Sequence, residues 1–328
     1  MDLKILSILQ ENSRTSLTAI ERKLGVSRFV IRSRLNRLFE EGAIHKPSII
    51  IDPATLGYRR IVFFEFKTNP HEPWLARFLE SLECCENLDG IAGEYSLLAR
   101  FRFKGDDEFS SVLKSIDRAM ARSTFKKYRF LNVIHRYKES GVVFDERLRK
   151  ESMVDEIDLM ILAVLQNQQG YAEGPLPITL SEVSKVISRS GRPISQPAVH
   201  RRIKRLMEAR VILRNTVLMN HLRLGQRAKF VLRIKANPSA YDSLARTSLA
   251  PLREVIDLYR TGENYGLLAV IRVKSVSSYN DFLVKLYNFE DVLDTFSVIV
   301  LEERKMSTIP TLGISQLSSH EAKGFNNA

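Results

Sequence analysis

Two stretches of this sequence concentrate the side chains whose types and spacing suit chemistry with a polyanionic partner. The first, SRFVIRSRLNRLFEEGAI, covers residues 27–44, and the second, SQPAVHRRIKRLMEARVI, covers residues 195–212. Arginine and lysine neutralise phosphates, whereas arginine, glutamine and serine also form hydrogen bonds with the edges of bases. The two stretches are therefore candidates for nucleic-acid recognition.

The two stretches are copies of one another, related by a constant offset of 168 residues without a gap. Each copy begins with a serine suited to capping a helix N-terminus, Ser27 or Ser195. Apolar residues at helical spacing then define one face in each copy: Ile31, Leu35 and Leu38 in the first, and Val199, Ile203 and Leu206 in the second. The pattern predicts a helix with a core face and a basic remainder. A single helix of this kind usually just faces water, but duplication and context favour recognition here.

The spacing divides the polar side chains of these helices into two predicted roles. The side chains predicted to reach base edges are Arg28, Arg32 and Ser33 in the first copy, and Gln196, His200 and Arg201 in the second. The flanking residues predicted to neutralise phosphates are Arg34, Arg37, Arg202, Lys204 and Arg205. Ser27, Phe29 and Asn36 complete the set of predicted DNA contacts. Arg34 and Arg202 have an equally weighted alternative, a structural bridge to an acidic partner in the same domain.

The basic excess of the chain is localised. The whole sequence has a formal net charge of +12. Residues 1–60 hold 11 Lys/Arg and 6 Asp/Glu, and residues 153–228 hold the same numbers, whereas residues 61–152 hold 16 and 15 and residues 229–328 hold 12 and 11. A local excess indicates a phosphate-backbone partner, although an anionic membrane surface would attract it too.

Residues typical of catalytic or metal sites are sparse. The only cysteines are the adjacent Cys84 and Cys85, which suit neither a disulfide framework nor a thiolate metal site. Six histidines lack metal-ligand spacing: His45, His71, His135, His200, His221 and His320. The N-terminus resembles no signal peptide, and no apolar run approaches membrane-spanning length. We expect a cytoplasmic protein with no catalytic residues, no metal, no cofactor and no membrane partner.

The elements that must position the repeated helix precede and follow it. Residues 2–10 and 16–24 have apolar residues at helical spacing, and Gly25 separates the second helix from the third, an arrangement typical of a helix-turn-helix. After Gly42 the pattern becomes extended, and we expect a two-stranded wing. The same order recurs from residue 155, with insertions at residues 170–177 and 188–194; the second would alter how the helix approaches a groove.

Residues 58–137 and 226–304 each predict the order strand, helix, strand, strand, helix, strand, which is the ferredoxin-like plan. The sequence therefore predicts an α+β fold in which two winged helix-turn-helix domains alternate with two ferredoxin-like βαββαβ domains. The predicted boundaries are 1–57 and 155–225 for the winged domains, 58–138 and 226–305 for the ferredoxin-like domains, 139–154 for a linker and 306–328 for a disordered tail. We expect the two ferredoxin-like domains to pack together, within one chain or between chains.

The motifs of both modules resemble the Lrp/AsnC, or feast/famine, transcription regulators over most of residues 2–304. The resemblance rests on DLKILSILQENSR, LGVSRFVIRSRLNRLFEEGAI, IDPATLGY, IAGEYSLLARF and YRTGENYGLLAVIRV. It implies double-stranded DNA as a partner, self-association through the ferredoxin-like domains into a homo-oligomer, and an amino-acid effector between subunits. The usual member has one such unit, whereas this chain resembles two in tandem.

The resemblance places an effector site at loop residues of both halves: Gly93, Tyr95 and Ser96, and Thr261, Gly262 and Asn264. Many relatives have Asp after the Gly-x-x of this loop, where this chain has Ser96 and Gly266. This departure leaves open whether an effector acts and which molecule it is.

Two alternatives stand beside a regulator with two DNA-reading heads. Siroheme decarboxylases share the two-domain plan, so the fold alone does not decide the function. A regulator whose second head serves only as an interaction module would also fit, because the insertion at residues 188–194 lies directly before the second repeated helix.

Overall fold

The structure, a computed structural model, describes residues 1–144, 153–168 and 174–306. The helices are α1 (Asp2–Glu11), α2 (Leu17–Leu24), α3 (Arg28–Glu40), α4 (Pro73–Ser81), α5 (Asp106–Arg122), α6 (Glu156–Gln166), α7 (Leu180–Arg189), α8 (Gln196–Glu208), α9 (Tyr241–Ser243) and α10 (Val276–Leu286). The strands are β1 (Ile44–Ile51), β2 (Arg60–Phe66), β3 (Cys85–Ile91), β4 (Leu97–Phe103), β5 (Tyr128–Glu139), β6 (Val142–Val143), β7 (Ile212–Met219), β8 (Ala228–Ala236), β9 (Val255–Thr261), β10 (Leu267–Val273) and β11 (Val292–Met306). The predicted α+β class is confirmed.

The described residues form two compact units, and each unit combines a stretch from either half of the chain. The helical unit contains residues 1–56, the first helical segment, and residues 153–224, the second helical segment. The barrel unit contains residues 57–144, the first barrel segment, and residues 225–306, the second barrel segment.

Local capping explains where the helices of the helical unit begin. Ser16 accepts a hydrogen bond from the amide of Ala19 at the start of α2, and Thr179 forms a reciprocal capping box with Glu182 at the start of α7. Gly25 ends α2 with a φ of +66°, a left-handed conformation that glycine adopts without strain. With these boundaries, α3 and α8 are the third helices of their segments.

The predicted two-stranded wing within each helical segment is wrong. Each segment contributes a single strand, and β1 pairs with β7 of the other segment in an antiparallel two-stranded sheet. After β1 the chain enters a 3-10 turn, Pro53–Leu56, rather than a returning strand. The backbone groups of β1 therefore find their partners in β7, because a lone strand leaves them unpaired.

The two helical segments contact each other through matching bonds. The Ser48 hydroxyl donates to the carbonyl of Gln166 at 3.2 Å, and the Thr216 hydroxyl donates to the carbonyl of Gln10 at 3.0 Å. Val217 of β7 also lies in the apolar core of the first helical segment. Each segment thus completes the packing of the other.

The barrel unit is built on one closed antiparallel sheet. Its strand order is β2-β4-β3-β11-β8-β10-β9-β5-β6, and β2 also pairs with β5, so eight strands close on themselves. The two barrel segments join where β3 pairs with β11 and where β5 pairs with β9. The expected packing of the two ferredoxin-like regions therefore occurs within one chain in this structure. Each of these eight strands therefore pairs with two neighbours in the sheet.

Matching lysines support the two junctions of the barrel. Lys138 Nζ of β5 donates to the carbonyl of Ala250 at 2.8 Å, and Lys305 Nζ of β11 donates to the carbonyl of Glu80 at 2.7 Å. Both carbonyls lie at the end of a helical stretch of the other barrel segment, where a cation is favoured. Each segment thus anchors a helix end of its neighbour.

Three predicted regions differ from the structure or lie outside its described residues. The predicted linker 139–154 begins too early, because Glu139 ends β5, β6 follows, and Phe144 is buried. The remainder of that linker, the predicted tail from residue 307 onwards and part of the first insertion lie outside the described residues. In the second barrel segment α9 continues as a π-helix, Leu244–Leu249, in place of a regular helix. No described helix is both long and apolar enough to cross a membrane.

Candidate nucleic-acid interface

Helix α3 buries its apolar face and exposes its polar N-terminal turns. Ile31, Leu35 and Leu38 are buried in the core of the first helical segment. The Ser27 side chain accepts a hydrogen bond from the amide of Val30 and starts the helix there. The predicted contacts exposed on the remaining surface are Arg28, Phe29, Arg32, Ser33, Asn36 and Arg37. Phe29 is 82% exposed, which is unusual for a large apolar side chain in an ordered helix.

Helix α8 has the same design with different exposed chemistry. Val199, Ile203 and Leu206 are buried, and Ser195 caps the helix by accepting from the amide of Ala198 at 3.4 Å. The predicted contacts exposed here are Gln196, His200, Arg201, Lys204 and Arg205. An open depression lies beside them, lined by Leu180, Gln196, Pro197, His200 and Arg201. Both helices therefore present hydrogen-bonding groups outward from a fixed scaffold.

An aspartate of the first helix orients α3. Asp2 Oδ1 accepts a hydrogen bond from Arg34 Nη1 at 2.7 Å, and its second oxygen accepts one from Arg37 Nη2. Asp2 is thus the acidic partner that the structural alternative for Arg34 predicts. Arg37 binds the same carboxylate. About half of the Arg37 side chain, 52%, is still exposed, so N–H groups on its outer side stay accessible.

The second helical segment repeats this arrangement with a buried acid. Asp158 is 0% exposed, and its oxygens accept hydrogen bonds from Arg202 Nη1, at 2.9 Å, and from Arg205 Nη2. Arg202 also donates to Asp155 at 2.6 Å. Burial raises the pKa of Asp155, but the hydrogen bonds from Arg202 and the Asp158 amide outweigh it and hold the pKa below its usual value. Phosphate contacts by the four arginines stay predictions.

Neither aspartate is among the functional residues that the sequence pattern predicts. Asp2 and Asp158 begin the same repeat, and an offset of 156 residues relates them, as it relates Leu9 to Leu165. An acid at the start of the first helix, repeated at the same offset as the apolar face, is the signal that identifies them. Their role is to hold the third helix rather than to meet a ligand.

The turn before α8 is longer than the turn before α3. Three residues, 25–27, separate α2 from α3, whereas six residues, 190–195, separate α7 from α8. The longer turn is held by side chains of α7, because Ser184 Oγ donates to the carbonyl of Ile194 at 2.6 Å and Ser188 Oγ accepts from its amide. The insertion at 188–194 therefore covers the last two residues of α7 and most of an ordered turn.

The predicted effector loop of the first barrel segment joins β3 to β4. Gly93 has a φ of +144°, and Tyr95 is buried beneath the guanidinium of Arg129 at 5.0 Å. Ser96 Oγ accepts a hydrogen bond from the amide of Thr68 at 2.7 Å. The serine at the departure position is thus bonded to the strand end beside it.

The corresponding loop of the second barrel segment is filled by its own side chains. Arg260 Nη1 donates to the carbonyl of Gly266 at 2.7 Å and its guanidinium stacks 3.8 Å from the Tyr241 ring. A Cβ added to Gly266 would lie 1.8 Å from Arg260 Nη1, so no side chain fits there unless Arg260 moves. Thr261 is buried and donates to the carbonyl of Tyr265, whereas Gly262 and Asn264 are exposed. The effector role of both loops stays a prediction.

The cysteines and the candidate metal ligands among the described residues bear on catalytic chemistry. Burial raises the pKa of Cys84 and of Cys85 to about 12, so neither is a thiolate at neutral pH. Within residues 1–144, 153–168 and 174–306, no group of three or more His, Cys, Asp or Glu side chains is arranged to hold a metal ion. A cavity of about 30 Å³ in the barrel unit is lined by charged residues including Asp89 and Lys229, and its volume suits a water molecule.

Comparisons with known proteins match both kinds of module. Residues 1–38 match the AsnC-type helix-turn-helix domain, and residues 229–310 match the Lrp/AsnC ligand binding domain. The HTH-type transcriptional regulator FL11 of Pyrococcus furiosus is 31% identical over 156 residues, which cover 48% of this chain and 95% of the relative. FL11 of Pyrococcus horikoshii is 30% identical over 155 residues, covering 47% of this chain and 94% of the relative.

A solved structure shares the fold over nearly the whole chain. The siroheme decarboxylase NirDL has a TM-score of 0.65 with 15% sequence identity, covering 98% of this chain and 99% of that chain. Its complex with an iron-uroporphyrin III analogue has a TM-score of 0.66 with 14% identity, covering 99% and 100%. At this level of identity the likeness concerns the fold alone.

Proposed function

Because this chain belongs to the Lrp/AsnC family of transcription regulators, we propose that it regulates transcription by binding specific DNA sequences through both α3 and α8. One observation carries the proposal: each helix buries its apolar face and presents its polar N-terminal turns to solvent. The major groove accepts a helix in this orientation. The basic excess of residues 1–60 and 153–228 adds the attraction to phosphates that such binding needs.

Within this proposal the exposed side chains read bases and the paired arginines orient the helices. Arg28, Arg32 and Ser33 meet base edges in the first half-site, and Gln196, His200 and Arg201 meet them in the second. Lys204 neutralises a phosphate, and the outer N–H groups of Arg37 and Arg205 reach others. Different residues at equivalent positions give two different half-sites.

The proposal includes a tandem duplication of the family's unit, so that one chain supplies two heads. Support comes from equivalent contacts in the two halves: the bonds of Ser48 and Thr216 across the helical unit, and those of Lys138 and Lys305 across the barrel unit. The relatives add support, because about half of this chain covers about 95% of FL11. One chain would then place two heads together without a second copy.

The proposal also includes a small-molecule effector, which binds at one of the two predicted loops. Arg260 fills the space inside the second loop, whereas the first has Gly90 at the position equivalent to Arg260, since Leu97 pairs with Gly90 as Leu267 pairs with Arg260. We therefore assign effector binding to the first loop, with Tyr95 and Ser96 as its contacts. A panel of amino acids tested for shifts in melting temperature checks this, and Tyr95→Ala should abolish any shift.

A selection from random duplexes with the purified chain tests the main proposal. We expect enrichment of a site with two dissimilar halves, and protection of both halves from nuclease digestion. Enrichment of a single half, with no protection beyond it, would assign the second helix to interaction rather than DNA reading. Failure to enrich any sequence would contradict the proposal that the protein regulates transcription by binding specific DNA sequences.

A second candidate, a siroheme-decarboxylase-like enzyme, is favoured by the likeness to NirDL over the whole chain. The cavity of about 30 Å³ in the barrel unit is far smaller than a tetrapyrrole, so the substrate would need another place. Absorbance separates the candidates, because a bound iron tetrapyrrole gives an intense band near the blue end of the spectrum. We expect none after incubation with iron-uroporphyrin III and gel filtration.

A further inference from the structure

A buried ion pair joins equivalent positions of the two barrel segments. Glu65 of β2 and Arg233 of β8 are related by the offset of 168, and they are 3% and 5% exposed. Arg233 Nη2 donates to Glu65 Oε1 across the barrel, and Glu65 Oε2 accepts from Arg129. One position of the repeat therefore carries opposite charges in the two segments, and these charges meet.

Lys229 and Asp89 form a second cross-segment pair. Lys229 Nζ of the second segment donates to both oxygens of Asp89 of the first, at 2.9 and 2.7 Å. The positions equivalent to Lys229 and Asp89 are Ile61 and Tyr259, as the strand registers show. Neither of these residues supplies an opposite charge.

The pair of Arg100 and Asp257 follows the same rule. Arg100 Nη1 of the first segment lies 3.3 Å from Asp257 Oδ2 of the second, and both residues are buried. The strand registers make Val270 equivalent to Arg100 and Asn87 equivalent to Asp257. These three buried ion pairs therefore form only between unlike segments.

We propose that these charges make the first and second barrel segments pair with each other and reject pairing with a like segment from another chain. Two first segments would bury Glu65 against Glu65, each with only Arg129 of its own segment as a cationic partner, and would leave Asp89 facing Ile61. Two second segments would bury Arg233 against Arg233. Buried like charges and unpaired charges oppose association strongly, so partner choice follows from the mismatches as well as from the matches.

The consequence is a fixed composition for every barrel, one segment of each kind. This holds whether the two segments come from one chain or are exchanged between two chains. The pairing of unlike barrel segments does not depend on DNA binding. If the helices also read DNA as proposed, the two unlike heads are always presented as a pair.

Disulfide trapping in the full chain tests which segments pair. Gly90 of β3 lies opposite Glu302 of β11, and the position equivalent to Glu302 in the first segment is His135 of β5. Directly opposed residues in an antiparallel pair are close enough for a disulfide. We expect Gly90→Cys/Glu302→Cys to cross-link on oxidation and Gly90→Cys/His135→Cys not to. Cross-linking of the second variant between chains would overturn the proposal.

Charge variants at Arg233 test the cause. Arg233→Met keeps the bulk without charge, whereas Arg233→Glu places two carboxylates together. Urea unfolding should therefore give Arg233→Glu an equilibrium constant for folding about tenfold or more below that of Arg233→Met. Adding Glu65→Gln to Arg233→Glu should raise the midpoint again. Equal midpoints for Met and Glu, or a further fall on adding Glu65→Gln, would overturn the proposal. If Arg233→Glu fails to fold, recovery of folded protein with Glu65→Gln supports it and failure of that pair to fold overturns it.

Discussion

Arg34 Nη1 donates to Asp2 Oδ1 at 2.7 Å and ties the candidate recognition helix to the first helix of the chain. The Arg34 side chain is 37% exposed, so this bond is partly screened by solvent. Arg32, two positions earlier, is exposed on the opposite side of the same helix. One helix thus separates residues that fix its orientation from residues that face outward.

The first prediction uses this separation. Arg34→Ala removes a bond to a carboxylate and should lower the free energy of unfolding by about 1 kcal/mol. Arg32→Ala should leave that free energy within about 0.5 kcal/mol, because exposed substitutions away from such contacts have little effect. Urea titrations of both variants and the wild type measure the difference. Equal stability of the two variants would contradict a structural role for Arg34.

Local features of the helical unit follow from the sequence because they depend on near neighbours. Capping serines and apolar spacing located α2, α3 and α8, since helix starts and helix faces are properties of consecutive residues. The partner of β1 is different in kind. The sequence marks residues 44–51 as extended, but strand pairing is long-range, and the partner lies more than 160 residues away in β7.

The charged residues inside the barrel are a second feature that local sequence patterns do not reveal. Arg100 and Arg102 alternate with apolar residues along β4, a pattern typical of a sheet with one solvated face. In the structure both arginines are buried, because the second face of the sheet meets the strands of the other barrel segment. Alternation fixes which residues share a face, but it does not tell whether water or protein covers that face.

Acid sensitivity of the barrel unit should depend on Glu139. Burial raises the pKa of this carboxyl, but Arg102, Arg136 and Arg100 outweigh burial and hold the pKa at about 2, below the ordinary value of 4.5. The carboxylate therefore stabilises the fold fully above pH 4.5, and its contribution is lost as the pH falls from 4.5 towards 2. The stability difference between wild type and Glu139→Gln should shrink over that window.

Chemical denaturation of both proteins at several pH values between 7 and 2 measures this difference. Burial raises the pKa of Asp89 and of Asp257, and these groups act in the opposite direction. Asp89 is present in either protein and cancels in the comparison. Glu139 itself adds to the raised pKa of Asp257, so the comparison is repeated with Asp257→Asn in both proteins. A difference that stays constant down to pH 2 would show that the Glu139 charge does not contribute.

Salt dependence tests the phosphate contacts. The logarithm of DNA affinity should fall linearly with the logarithm of salt concentration, with a slope of about −0.9 for each phosphate neutralised. Lys204→Ala should reduce the magnitude of the slope by about 1. Lys285→Ala, which alters a similarly exposed lysine of the barrel unit, should leave the slope unchanged. A slope near zero for the wild type would contradict binding through phosphates.

Phe29 should read a thymine methyl group. Phe29 is 82% exposed between Arg28 and Arg32, and apolar side chains contact that methyl in the major groove. Replacing the contacted thymine with uracil in the selected duplex should weaken binding by about 0.8 kcal/mol, which is the free energy gained by burying one methylene-sized group. Phe29→Ala should bind the two duplexes equally. The equivalent position in the second segment is Pro197, so thymine-to-uracil changes in the other half-site serve as the control.

The two recognition helices should act on different half-sites. Arg32→Ala should cost about 1–3 kcal/mol on the selected duplex and relax sequence preference in the first half-site, because it removes a base contact. Arg201→Ala should have the same effect on the second half-site. Titration of both variants against the selected duplex, against duplexes altered in one half, and against a scrambled duplex separates these effects. If Arg201→Ala changes no affinity while Arg32→Ala does, the second helix is an interaction surface; if neither changes affinity, both helices are wrongly assigned to DNA.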